Sequence, residues 1–109
     1  MAEAPEDLVA WLHRHFRADA AGSLRASYQF ELSGPGGGSF WARIDGPVLE
    51  AGPGELPDPD VRIRLGADDY RGILAGRVNP ELLLMQGRLE VEGDLPLASR
   101  IRGLFRPSG

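Results

Sequence analysis

Regular alternation of apolar and polar residues limits most strongly how this chain can fold. One set of alternate positions is apolar in residues 28–32, 40–45 and 61–65, and Leu89 and Val91 repeat the pattern. Successive side chains of a β-strand point to opposite faces of its sheet, so each segment has one buried and one solvated face. The pattern therefore predicts a sheet that helices cover on one side only.

Turn-forming residues separate these strands. Residues 33–38 and Gly46-Pro47 are turns by composition, residues 48–51 form a short third strand, and residues 52–60 form a loop rich in Gly and Pro. With the segment around Leu89 and Val91, the sheet has five strands.

The segment between the fourth and fifth strands is long enough for a helical crossover. Such a connection permits these two strands to pair in parallel. Arg62 and Arg64 would then face Glu90 and Glu92 on the solvated side. Exposed pairs of this kind stabilise a fold by only about 0–1 kcal/mol each.

Helix start and stop signals flank the strands. Pro5 begins a first helix with Leu8, Trp11, Leu12 and Phe16 on one face. A short helix is predicted over residues 68–75. Asp94 is the predicted N-cap of a last helix. The apolar face of that last helix consists of Leu97, Ile101, Leu104 and Phe105.

Between these helices lies the stretch "RVNPELLLMQG". Asn79 and Pro80 begin a helix and Gly87 ends it, with four consecutive apolar residues, 82–85, between them. Four consecutive helical positions surround the axis, whereas a surface helix needs one apolar stripe. Either the protein buries this helix completely, as a solid core would, or one side faces a cavity for an apolar ligand. Met85, which adapts to variable shapes, and Gln86, which needs a polar partner, favour the cavity slightly.

Length and composition narrow the class of protein. A chain of 109 residues is expected to form one domain, residues 1–109. The net charge of −4 disfavours nucleic acid as a partner. The sequence has no cysteine, no apolar run of about 18 residues and no basic secretory leader, which together favour the cytoplasm.

The sequence offers little for catalysis. His13 and His15 are two residues apart, so a helix would not place them on one face. Asp68 and Asp69 are interpreted as helix-start charges, and the glycines of residues 34–38 as a hairpin turn. We therefore expect no catalytic constellation, no metal site and no cofactor.

Residues 60–105 resemble the sterol carrier protein type 2 (SCP-2) domain family. The matching elements are Asp69-Tyr70, Ala75-Gly76-Arg77, Asn79-Pro80, Met85-Gln86-Gly87, Gly93-Asp94 and Leu97-Ala98. The upstream "FELSGPGGGSFWARIDG" is similar to the family's first hairpin.

This resemblance implies an α+β fold: a five-stranded, mostly antiparallel sheet with helices covering one face and a hydrophobic tunnel between them. It implies non-specific binding and transfer of fatty acyl chains, acyl-CoA, sterols or isoprenoids. The residues expected to contact the ligand are Phe30, Leu32, Phe40, Ile63, Leu74, Leu82, Leu83, Met85, Gln86, Leu97, Ile101 and Leu104. On this basis Leu83→Arg or Met85→Arg is expected to abolish lipid binding without unfolding the chain.

Departures from the family pattern refine these expectations. Leu95-Pro96 replaces a flexible Met-Gly, and the peroxisomal tail of eukaryotic members is missing. The proline is expected to stiffen the gate of the tunnel. The missing tail favours a stand-alone bacterial-type member that binds fatty acyl or isoprenoid chains rather than sterols. Arg100 and Arg102 flank the last apolar face and are expected to be solvated, with an anionic head group as the alternative partner.

Two other functions stay open. One is a small enzyme that acts on a hydrophobic intermediate held in the tunnel, with Tyr28, Tyr70 or Gln86 as polar groups inside. The other is an accessory protein that presents lipids to an enzyme, with transient contacts to that enzyme or to a membrane surface.

Overall fold

The computed structural model describes the backbone of residues 5–104 and the side chains of residues 9, 10, 12–101 and 104. The predicted roles of Leu8, Trp11, Arg102 and Phe105 concern side chains outside this set. None of the helices within the described residues is both long and apolar enough to cross a membrane.

Residues 5–104 contain five strands and five helices, which follow one another in the order α1, α2, β1–β4, α3, α4, β5, α5. The strands are β1 (Arg25–Ser33), β2 (Gly38–Asp45), β3 (Val48–Pro53), β4 (Val61–Gly66) and β5 (Leu89–Gly93). The helices are α1 (Pro5–His15), α2 (Ala18–Ala21), α3 (Ala67–Leu74), α4 (Pro80–Met85) and α5 (Leu95–Leu104). The predicted elements are all present, and α2 is an element that the sequence pattern did not predict.

The strands form one sheet in the order β3-β2-β1-β4-β5. The parallel pairing that a crossover between the fourth and fifth strands would permit does not occur, because β4 and β5 are antiparallel and Leu89 lies opposite Leu65. The chain thus returns to the sheet at the end where β4 leaves it. Helices α3 and α4 therefore form a connection at that end of the sheet rather than a crossover. The parallel pair is β1–β4, since the segment after β3 passes over β2 and β1 before β4 begins.

One face of this sheet is apolar, as the alternation predicted. Phe30 of β1 lies opposite both Phe40 of β2 and Ile63 of β4, and the other residues of these rows are likewise buried. Helix α1 contacts β2 and β3, whereas α5 contacts β4 and β5, and α3 contacts β1 and β4. The helices therefore divide the apolar face between them, with α1 over β2 and β3, α3 over β1 and β4, and α5 over β4 and β5.

The opposite face carries a network of charges. The Arg64 guanidinium lies 2.7 Å from Glu31 and 3.5 Å from Glu92, and Arg62 lies 3.7 Å from Glu31. The hydrogen bond that Arg64 Nε donates to the Glu31 carboxylate is the main cause that raises the pKa of Arg64. The predicted cross-strand pairing of Arg and Glu is therefore present in antiparallel register, with Glu31 as an unpredicted central partner.

The side chain of Gln29 holds the loop between β3 and β4, which crosses the sheet without a helix, against the charged face. Its side chain is fully buried and its Oε1 accepts a hydrogen bond from the Leu56 backbone at 2.7 Å. Its Nε2 donates to the carbonyls of Gly54 at 3.0 Å and Phe40 at 3.2 Å. A polar side chain on β1 thus holds the loop that connects β3 to β4.

We expect Gln29→Leu to lower the free energy of unfolding by about 2 kcal/mol, because the substitution leaves buried backbone groups of the loop without partners. Urea unfolding followed by circular dichroism measures this change. Glu50→Ala, at an exposed position of β3, serves as the control and should change stability by less than about 0.5 kcal/mol. Equal stability of Gln29→Leu and the parent chain would contradict the assigned role of Gln29.

Candidate functional site

The interior between sheet and helices is built around three aromatic rings. Phe30 and Phe40 stack with centroids 4.8 Å apart, and Tyr70 of α3 meets them edge-on at 6.3 and 5.8 Å. Leu32 and Ile63 are buried in the same cluster. These four predicted ligand contacts on the strands are therefore together, and in this structure they pack against other protein side chains.

Helix α4 is attached to the domain on one side only. Asn79 caps it, since its side chain accepts a hydrogen bond from the Glu81 backbone at 2.9 Å, and Gly87 follows it with φ of +74°. Leu83 is buried at 2% exposure and belongs to the core cluster. The helix contacts the edge strand β5.

The remaining apolar residues of α4 face outward. Leu82, Leu84 and Met85 are 53%, 52% and 82% exposed, and together they form what we call the α4 apolar surface. The prediction that a solid core buries this helix completely is therefore wrong. Monomeric domains rarely leave adjoining large apolar side chains uncovered without a binding role.

Gln86 does not reach the interior. It is the C-cap of α4, its side chain is exposed, and its Oε1 accepts a hydrogen bond from Arg88 at 3.4 Å. Gln86 is therefore at the surface in this structure, and its expected contact with the ligand stays a prediction. Leu74, at the end of α3, is half-buried against the core cluster.

Helix α5 contributes the other predicted contacts. Leu104 is buried, and Leu97 and Ile101 are half-buried against the core cluster. Asp94 caps the helix as predicted, accepting a hydrogen bond from the Leu97 backbone at 3.1 Å. Pro96 fits because a proline in the first helical turn removes no intrahelical hydrogen bond.

Tyr28 connects α5 to the centre of the sheet. Its side chain is fully buried on β1, and its hydroxyl donates a hydrogen bond to the Leu97 carbonyl at 2.8 Å. Burial raises the pKa of Tyr28 to about 12; nearby Arg100 lowers it, and Asp60 and Asp94 raise it further. Sequence reasoning named Tyr28 as a polar group inside the tunnel but did not predict its link to α5.

Asp60, a second residue whose role the sequence did not predict, joins several segments at the same end of the sheet as Tyr28. The Asp60 carboxylate accepts hydrogen bonds from the Ser27 backbone at 2.9 Å and the Ser27 hydroxyl at 3.2 Å. The Asp60 carbonyl accepts from the Asp94 backbone at 3.0 Å. Gly93 is required here, because its φ is +104° and a Cβ atom would lie 2.2 Å from the Asp60 carbonyl oxygen.

The other polar candidates have partners on the protein. Arg100 donates to the Ala20 carbonyl at 3.3 Å, Asp68 pairs with Arg71 at 2.8 Å, and Asp69 pairs with Arg88 at 2.5 Å. Within the described residues no three His, Cys, Asp or Glu side chains are placed to hold a metal ion.

An open pocket of about 360 Å³ lies where β1 and β4 end, on the charged side of the sheet. It does not coincide with the tunnel that the resemblance implies, because Leu32 is the single predicted ligand contact in its lining and four of its eight lining residues are charged. Its lining residues are Glu31, Leu32, Ser33, Arg64, Leu65, Gly66, Arg88 and Glu90. The tunnel itself stays a prediction.

Comparison with known proteins identifies the family. A model of the SCP-2 sterol transfer family matches residues 10–106, so the chain belongs to this family. The α+β fold with a five-stranded mixed sheet agrees with that assignment. Family membership supports lipid binding or transfer as the activity of the domain.

Individual relatives extend this result. The chain is 33% identical over 84 residues to mouse hydroxysteroid dehydrogenase-like protein 2, covering 76% of this chain and 17% of that protein. A palmitated SCP2L2 from Aedes aegypti has a TM-score of 0.65 at 22% identity, covering 88% of this chain and 85% of that one. The sec-alkylsulfatase Pisa1 from Pseudomonas has a TM-score of 0.84 at 18% identity, covering 97% of this chain and 17% of that one.

The burial of Tyr28 gives a pH-dependent stability. Because its folded-state pKa of about 12 exceeds the ordinary value of 10.0, its contribution is fully present below about pH 10 and is lost as the pH rises towards 12. We expect the free energy of unfolding to fall by the order of 2 kcal/mol across this range. Urea unfolding at a series of alkaline pH values measures it, and Tyr28→Phe should flatten the curve. An equally steep fall in Tyr28→Phe would assign the effect to another group.

Proposed function

We propose that this domain binds a single-chain lipid between the apolar sheet face and helices α3–α5, and that the α4 apolar surface is where the lipid enters. The observation that carries this proposal is the composition of α4. One of its leucines, Leu83, belongs to the core, while Leu82, Leu84 and Met85 are exposed. The helix therefore offers an apolar path from solvent to the core.

The energetics favour a ligand with a long apolar chain. Each methylene group removed from water contributes about 0.8 kcal/mol, so a chain needs few polar contacts to bind. The interior offers the Tyr28 hydroxyl as a polar group, and that hydroxyl is already bonded to Leu97. We therefore expect affinity to rise with chain length and to depend weakly on the head group.

Fatty acyl or isoprenoid chains fit this site better than sterols. The interior is filled by close-packed aromatic rings, which a flexible chain can pass between more easily than a rigid ring system can. The palmitated state of the Aedes aegypti relative supports the same class of ligand. Acyl-CoA is the related alternative, with its apolar chain bound in the same way.

Met85→Arg tests the assigned entrance. It is expected to weaken binding of a pyrene-labelled fatty acid at least tenfold, because a charged group at an apolar entrance must be desolvated. Fluorescence titration measures the affinity. Val48→Arg is the matched control, since Val48 is 56% exposed at the start of β3 and lies outside the proposed site.

Equal affinity of Met85→Arg and Val48→Arg would contradict the assignment of α4 as the entrance. The expectation that Leu83→Arg leaves the fold intact is withdrawn, because Leu83 is buried and a charge there would unfold the core. Leu83 variants therefore report stability rather than ligand binding.

A second candidate function is that of a lipid-presenting module for an enzyme. The chain spans about a fifth of the length of the curated relatives it matches, which are named as hydroxysteroid dehydrogenase-like proteins. A lipid carried by such a module would be delivered to a catalytic domain by transient contact. Lipid transfer between vesicles without any enzyme present would favour the carrier function, whereas lipid release only on addition of a partner enzyme would favour presentation.

A further inference from the structure

Helix α5 is held by a backbone hydrogen bond at each end, and between them Arg100 donates to the Ala20 carbonyl at 3.3 Å. At its start the Asp94 backbone donates to the Asp60 carbonyl at 3.0 Å, and at its end the Arg17 backbone donates to the Leu104 carbonyl at 2.7 Å. Leu104 is buried, but Leu97 and Ile101 between the two ends are only half-buried. The helix therefore covers the apolar sheet face without being fully part of the core.

The Tyr28 hydroxyl adds an attachment from inside. Tyr28 lies on β1, which is bonded on both sides by β2 and β4, so its ring belongs to the most rigid part of the sheet. Its partner, the Leu97 carbonyl, lies in the first turn of α5. A carbonyl oxygen has two lone pairs, so losing the Tyr28 bond leaves Leu97 able to accept within the helix. Helix α5 can therefore separate from Tyr28 without unwinding.

We infer that the Tyr28–Leu97 hydrogen bond is a latch that keeps α5 closed over the interior, and that its opening limits how fast a lipid enters and leaves. This inference rests on the proposed function. In the closed state the bond lies in a medium of low polarity, whereas in the open state the hydroxyl bonds to water instead. The net difference for a neutral hydrogen bond corresponds to roughly a three- to tenfold change in the closed-to-open ratio.

Tyr28→Phe removes the latch while keeping the buried ring. In the ligand-free chain we expect hydrogen exchange at α5 amides to become roughly three to ten times faster, with α3 amides unchanged. With a pyrene-labelled fatty acid, stopped-flow association and dissociation rates should both rise by a similar factor. The dissociation constant should then change little, because a latch alters the rates of both directions.

Leu49→Ala is the control for lost stability. Leu49 is half-buried on β3, at the edge of the sheet opposite to α5, so its truncation destabilises the fold without touching the latch. In Leu49→Ala the ratio of α5 exchange to α3 exchange should stay as it is in the parent chain. The association and dissociation rates of the lipid should also stay unchanged. The same acceleration in Leu49→Ala and Tyr28→Phe would overturn the latch, since stability alone would then explain it.

The two rate constants separate the remaining outcomes. A rise in the dissociation rate alone would make Tyr28 a direct ligand contact and would overturn the latch, as would unchanged α5 exchange in Tyr28→Phe. If the parent chain takes up no fatty acid, the proposed function fails, and the exchange measurement on the ligand-free chain still decides whether Tyr28 holds α5.

Discussion

The one-sided apolar face of the sheet is the constraint on which the rest of the structure depends. Because Phe30, Phe40 and Ile63 share that face, every helix that covers it must lie on the same side. The opposite face is then free to carry the Arg62, Arg64 and Glu31 network and the crossover loop held by Gln29. A buried glutamine on that face is thus a consequence of the topology, since a connection without a helix needs partners for its own backbone groups.

Sequence periodicity predicted most of this architecture because strand alternation and helix caps are local signals. Asn79 and Asp94 cap their helices through the bonds that their positions implied. Strand pairing is not local, and the parallel partner of β4 proved to be β1 rather than β5. The length of the segment between β4 and β5 permitted either arrangement. In the observed arrangement the hydrogen bonds of Asp60 to Ser27 and Asp94 join three distant segments, and these bonds leave no periodic trace in the sequence.

The candidate site was predicted less completely, for a physical reason. Four consecutive apolar residues on α4 predict that all sides of the helix are shielded from water. They do not specify whether protein side chains or a ligand shield them. In this structure Leu83 alone among them is buried, and Leu82, Leu84 and Met85 lie at the surface. The same residues would satisfy either a solid core or a lipid site. Family membership favours the second, and the strand residues that the resemblance marked as ligand contacts do lie in one cluster, where Tyr70 of α3 meets Phe30 and Phe40.

Relative magnitudes indicate how such a closed domain can still take up lipid. A chain of about ten buried methylenes gains of the order of 8 kcal/mol, whereas one neutral hydrogen bond contributes about 1 kcal/mol. Lipid burial therefore outweighs the Tyr28–Leu97 bond, and that bond can affect rates without preventing binding. Close packing of Phe30, Phe40 and Tyr70 adds a second requirement, because a lipid can enter only if a covering helix moves. Among the helices proposed to enclose the lipid, α4 and α5 each have one buried residue in the described part of the chain, Leu83 and Leu104, whereas α3 has three. Helices α4 and α5 can therefore move at the lower cost in free energy.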